Sequence, residues 1–126
     1  MSFARRVVLD TGILVSAAIR PESVPALALE KAWLLFEVCV SRETLAELET
    51  VLRRSKFDRY APASQRQAFV AGFRAHAVMI EVDTTISDCP DPKDNMFLAL
   101  AETAEAELMV ASSLSDLALG LGYEST

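Results

Sequence analysis

Three carboxylates in this 126-residue chain stand where chemistry is expected. Asp10 ends the apolar run Val7-Val8-Leu9 and precedes Thr11-Gly12. Glu47 lies in "RETLAELETVLRR", on the flank of that segment's apolar stripe, roughly 110° from its centre at helical pitch. Asp94 follows "CPDPK" and opens another apolar segment. Carboxylates brought together repel, so at neutral pH they need a shared proton or a cation. A hard divalent ion meets that need: Mg²⁺ takes one or two carboxylates, keeps several waters and binds substrate phosphate. Such an ion supplies activated water and stabilises charge on phosphate oxygens. Each acid also has a plainer reading. Asp10 before Thr-Gly suits a turn, Glu47 a solvated helix flank, and Asp91-Pro92-Lys93-Asp94 a helix start with acids at its positive end.

The elements that must position these acids alternate. "RRVVLD" reads as a strand, followed by a helix over "TGILVSAAI" with Thr11 as its expected N-cap. Pro21 breaks that helix, and "VPALALEKAWLLF" begins a second, with Pro25 in its first turn. "FEVCVS" reads as a second strand, and Ser41 caps a third helix whose stripe is Leu45, Leu48, Val51 and Leu52. "SKFDRYAP" is a connection, "ASQRQAFVAGFRAHA" a helix and "VMIEV" a third strand. After the polar loop "DTTISDCPDPKD" come a helix over "NMFLALAETAEA", a fourth strand "ELMVA" and a last short helix "LSDLALGLG". Nearly all-apolar strands alternating with helices indicate a parallel sheet covered on both faces. Ligands of such sheets bind beyond the carboxyl ends of the strands, which is where Asp10 falls. The starts of the helices carrying Glu47 and Asp94 fall there too.

Composition narrows the class. Hydrophobic residues make up 52%, enough for a sizeable core. No apolar run reaches the ~18 residues that span a bilayer, and an acid and Thr-Gly interrupt the run behind Arg5-Arg6, so a cytoplasmic protein without a signal peptide is expected. Two cysteines, Cys39 and Cys89, are too few for a disulfide framework, and Cys39 in "FEVCV" reads as a small buried hydrophobe. The net charge of −6 belongs to the last quarter: residues 1–93 hold 12 basic and 12 acidic residues, whereas residues 94–126 hold six acids and no Lys or Arg. That argues against a wholly basic nucleic-acid coat and suits a cation-collecting pocket or a basic partner. One stretch does combine charge with rings: "RRSKFDRY" sets Arg53, Arg54, Lys56 and Arg59 beside Phe57 and Tyr60, a pattern suited to RNA backbone and bases. Its plainer reading is a basic helix end with two aromatics returning to the core. A lone histidine, His76, excludes a histidine pair and is given no role.

"VVLDTGILVSA", "SRETLAELETVLRRSKFDRY" and "CPDPKDNMFLALA", in this order and spacing, resemble a PIN domain from about residue 6 to about residue 120. The nearer likeness is to PIN-family toxins of bacterial toxin–antitoxin systems, relatives of the VapC ribonucleases. The resemblance implies a three-layer α/β/α fold with a central parallel sheet. It implies Mg²⁺ or Mn²⁺, cleavage of RNA phosphodiesters by metal-activated water, and an antitoxin partner. Asp10, Glu47 and Asp94 match the first, second and third family acids. The chain departs from the pattern in three ways. Gly12 replaces the usual Asn after Asp-Thr; "ASSLSDLAL" places Leu114 at the fourth acid, with Asp116 two residues on; and the chain stops at Thr126 where relatives usually add a strand and a helix. The expectation is a sheet lacking its last strand, or an edge covered in a homodimer or an antitoxin complex.

Two further readings compete. A degenerate PIN domain that binds a partner without cutting would explain Leu114 and Gly12. A phosphatase of the haloacid dehalogenase type also begins with a strand-ending Asp, but wants a second acid where Gly12 stands.

Overall fold

The computed structural model describes residues 5–82 and 92–110, with side chains for 5–82 and 95–110. In chain order the elements are β1 (Arg6–Leu9), α1 (Thr11–Ile19), α2 (Val24–Leu35), β2 (Glu37–Val40), α3 (Arg42–Leu52), a 3₁₀ turn (Ser55–Phe57), α4 (Ala63–His76), β3 (Val78–Met79), α5 (Pro92–Ala104) and β4 (Leu108–Val110). Every strand pairing is parallel and the sheet order is β3-β2-β1-β4.

That order explains the layers. The chain steps from β1 to β2 to β3 in one direction, then returns past β1 to β4. Right-handed crossovers therefore place α5 on the opposite face from α1–α4. The side chains agree at period two. Val7, Leu9, Val38 and Val40 pack with α1, α3 and α4 in the larger core, through Ile13, Leu14, Leu45, Leu48 and Phe73. Val8 and Cys39 point the other way and pack against Phe97, Leu100 and Ala104 of α5. The fold is α/β with three layers.

The helices follow from local sequence. Between Thr11 and Ile19 α1 carries no charge and buries five residues, as a helix apolar all round must. Ser23 caps α2, and Pro25 sits in its first turn, where no backbone donor is needed. Ser41 and Thr44 form a reciprocal capping box at the start of α3. The expected stripe of Leu45, Leu48, Val51 and Leu52 is buried. No single helix among the described residues is long and apolar enough to cross a membrane.

Several boundaries differ from the sequence reading. Asp10, not Thr11, caps α1, because its carboxylate reaches the Ile13 amide while Thr11 is already helical. The third strand is two residues long rather than five: Ile80 donates one bond to Val40, but β2 ends there and offers no further partner. Helix α5 begins three residues earlier than Asn95, at Pro92, since proline is preorganised for the first helical position. The last short helix, Cys89 and Asp91 lie outside the described residues.

Candidate active site at the carboxyl edge of the sheet

The two ends of the sheet differ in charge chemistry. At the amino end, Arg6 donates to Glu37 across the β1–β2 pair at 3.1 Å and to the Ala104 carbonyl at the end of α5 at 3.2 Å. Arg5 pairs with Glu107 at 3.0 Å. The acids there are matched by arginines. At the carboxyl end β1 runs into Asp10. The Asp10 amide donates to the Val110 carbonyl at 3.0 Å, so the ends of β1 and β4 stand side by side. Between these two strands the sheet order reverses, and a doubly wound sheet takes its ligands at that reversal.

Asp10 is half-buried, with Oδ1 accepting from the Ile13 amide at 3.0 Å. It sits at the positive end of α1, where a negative charge is favoured. Its neighbour Thr11 buries a hydroxyl oxygen that finds no hydrogen-bond partner, and Asn95, next to Asp94 in the first turn of α5, buries an unpartnered Oδ1. Such atoms cost about 1–3 kcal/mol each unless a ligand or water satisfies them. Both flank an acid of the sequence reading, in "DTG" and "KDN". A third, Thr103 Oγ1, lies at the far end of α5.

Glu47 is half-buried on α3. Its direction follows from its neighbours. Glu49 and Arg53 line the cleft between α3 and α4. On a helix of 3.6 residues per turn, Glu47 and Glu49 lie about 100° to either side of the buried stripe. Glu47 therefore occupies the flank turned from α4. Helix α3 packs on α1 and also touches α5, which itself rests on β1 and β2. Because α3 and α5 cover opposite faces, their contact passes a margin of the sheet rather than through it. The three elements that carry Asp10, Glu47 and Asp94 are thus neighbours. The backbone of Asp94 is in the first turn of α5; its side chain, Asp116 and Leu114 lie outside the described residues. Among the described residues no three His, Cys, Asp or Glu side chains gather closely enough to hold an ion.

Arg53, Arg54, Lys56 and Arg59 are exposed beyond the far end of α3, about 16 Å of helix from Ser41. They do not join the carboxyl-edge acids. Phe57 packs on the core, whereas Tyr60 remains 48% exposed, with the guanidiniums of Arg20 and Arg59 at 5.4 and 5.5 Å from its ring centroid. Cys39 is buried as expected. Burial pushes its thiol pKa up; Arg6 opposes this and Glu37 adds to it. His76 is exposed in the last turn of α4, its Nδ1 2.8 Å from the Gly72 carbonyl.

One structural anchor went unnoticed in sequence. Arg66 is 2% exposed. It donates to the Leu52 carbonyl at 2.7 Å, to the Ala61 carbonyl, and to Asp58 at 3.0 Å. It ties the last turn of α3 to α4. Within "SQRQ" it reads as one more solvated residue; nothing local marks it as buried.

An acid at the reversal of a three-layer, doubly wound parallel sheet defines the class of the domain. A family model for the PIN domain matches residues 6–112, most of the chain, and the chain belongs to the PIN domain family. A solved structure of VapBC2 from Rickettsia felis, bound to a DNA fragment from their promoter, contains a chain of similar fold: TM-score 0.56 at 16% identity, covering 85% of this chain and 97% of that one. No curated protein matches.

Proposed function

We propose that the protein is a metal-dependent endoribonuclease, the toxin member of a toxin–antitoxin pair, with Asp10, Glu47 and Asp94 as its catalytic acids. The observation that carries this reading is Asp10: a carboxylate at the tip of the central strand β1, beside the end of β4, at the reversal of sheet order in a PIN domain. The donor set suits a hard cation. It consists of carboxylates with neighbouring amide and hydroxyl oxygens, while the one described cysteine is buried in the core under α5. The unpartnered oxygens of Thr11 and Asn95 give a hydrated ion or its waters further partners. Asp10, Glu47 and Asp94 would hold Mg²⁺ or Mn²⁺, with Asp116 as a candidate fourth ligand. When bound, the ion supplies activated water and neutralises phosphate charge. The side chains' own task is to hold and orient it: the cap to Ile13 fixes the Asp10 carboxylate at the end of α1 before any ligand arrives.

The similar fold of a chain in the VapBC2 complex supports an antitoxin partner. Among the described residues β4 is the outer strand, with Leu108 46% and Met109 37% exposed. An antitoxin or a second copy of the chain would cover that edge; light scattering of the purified protein at high concentration tests the second arrangement.

The activity is tested by incubating single-stranded RNA with the protein in Mn²⁺ and in EDTA. Cleavage in Mn²⁺ alone, lost in Asp94→Asn and Glu47→Gln, is expected. Absence of cleavage, together with a melting point that Mn²⁺ still raises, would favour the non-cutting, partner-binding alternative.

A further inference from the structure

Residues 50–80 hold six cations, Arg53, Arg54, Lys56, Arg59, Arg66 and Arg74, against one acid, Asp58. The chain as a whole is at −6, so this region is a basic island on an acidic protein. The fold gathers part of it into a cleft of about 260 Å³ between α3 and α4. Arg53, Gln67 and Arg74 stand at its mouth, Arg66 lines its base, and Glu49 is the one acid in its wall. The guanidiniums of Arg53 and Arg74 are exposed and make no hydrogen bond or ion pair with any described residue. Each offers five donors in a planar fork that matches phosphate oxygens. Beyond Arg53 in the chain, the Lys56 ammonium lies 5.3 Å from the Phe57 ring, and the exposed Tyr60 ring has the Arg20 and Arg59 guanidiniums 5.4 and 5.5 Å from its centroid.

We propose that the α3–α4 cleft is a phosphate-binding subsite that holds the RNA backbone away from the acids. Arg53 and Arg74 clamp one phosphate, Gln67 donates to it, and Tyr60 receives a neighbouring base. Arg66 is a positioning residue: by joining the Leu52 carbonyl to α4 it fixes the distance between the two rims. An exposed ring set among cations favours a nucleic acid over an acidic protein. The choice of RNA rests on the ribonuclease reading; the phosphate chemistry does not. The cleft lies on the Glu49 flank of α3 and the candidate catalytic Glu47 on the other. A strand engaging both passes around that helix, so short RNAs reach only one.

The test is binding, in EDTA so that no cleavage occurs, of a labelled single-stranded RNA of roughly 20 nucleotides, longer than the ~4–16 that one single-strand-binding fold covers. Arg53→Gln/Arg74→Gln is expected to lose about tenfold in affinity at low salt. Its log–log salt slope should become shallower by about 0.7, the value for one phosphate contact on a single strand. Glu49→Gln should bind more tightly than wild type. Melting temperatures should fall by no more than a few degrees: Arg53 and Arg74 lose only the attraction of a cation to a helix C-terminus, and neither pairs with another described residue. Sodium phosphate and polyglutamate are the competing arms. Unchanged RNA affinity in the double variant overturns the proposal. So does phosphate binding to wild type that the double variant loses while its RNA affinity stays, which assigns the cleft to free phosphate. Polyglutamate binding as tightly as RNA, with the same dependence on Arg53 and Arg74, also overturns it and assigns the cleft to an acidic protein. Wild type that binds as expected but never cuts in Mn²⁺ keeps the cleft and removes the nuclease reading; cutting with normal binding by the double variant removes the cleft alone.

Discussion

Asp10 has two tasks that substitution can separate. It caps α1 through the Ile13 amide, and in the proposed site it holds a cation. Asp10→Ala removes both functions; Asp10→Asn keeps a capping oxygen and removes the charge. Loss of an N-cap costs about 1 kcal/mol. For a domain between the small and mid-size classes, that lowers Tm by about 3–5 °C. Asp10→Asn forfeits the charge–dipole attraction at the start of α1, about 0.3–1 kcal/mol. In the proposed site it would also relieve repulsion from Glu47 and Asp94, an effect of opposite sign. Without metal, Asp10→Asn should therefore melt within about 1–2 °C of wild type, while Asp10→Ala melts lower. Mn²⁺ at ten times its dissociation constant adds about 1.4 kcal/mol to wild type, roughly 4–7 °C, and nothing to either variant. Scanning calorimetry in EDTA and in Mn²⁺ reads all three proteins. Equal Mn²⁺ stabilisation of wild type and Asp10→Asn would refute the reasoning, leaving Asp10 as a capping residue only.

Arg66→Met should strand the buried Leu52 and Ala61 carbonyls at about 1–3 kcal/mol each, with little added by the pair to Asp58, whose side chain is 62% exposed; urea unfolding should show a loss of about 2–5 kcal/mol, and Arg66→Lys should not rescue it. Glu105 ends α5 at φ 54°, with the Ala106 amide donating to the Ala101 carbonyl, a left-handed helix end that glycine fills without strain. Glu105→Gly is expected to raise stability by about 0.5–1 kcal/mol, read by Tm, and a loss would contradict the strain argument. The Cys39 thiol, with its pKa raised by burial, stabilises the fold fully below the ordinary thiol value of about 8.5, and that contribution falls as pH rises above it. The gap in Tm between pH 8 and pH 10 should be larger for wild type than for Cys39→Ala, and native Cys39 should resist alkylation.

The alternation of strands and helices was legible because apolar runs, caps and prolines are local signals. Ser41 and Pro25 marked helix starts, and the stripe Leu45-Leu48-Val51-Leu52 marked a buried face. Sheet order is not local. That β4 lies beside β1, which makes Asp10 the reversal point, follows from pairing 101 residues apart between Val8 and Met109. In sequence Asp10 and Thr11 suit the cap position equally, and only the backbone angles choose Asp10. Glu47's flank could be read from helical pitch, but which helix faced it could not. Arg66 escaped because its partners are two carbonyls and an acid that the fold, not the sequence, brings to it.

In the proposed site one cation is shared by acids from three elements. Mn²⁺ binding by calorimetry or electron paramagnetic resonance, on wild type, Asp10→Asn, Glu47→Gln and Asp94→Asn, tests it most directly. One weak site per chain is expected, with Mn²⁺ preferred over Mg²⁺, and a loss of affinity in each single variant. Binding that survives Asp10→Asn, or that Glu47→Gln leaves unchanged, would contradict it.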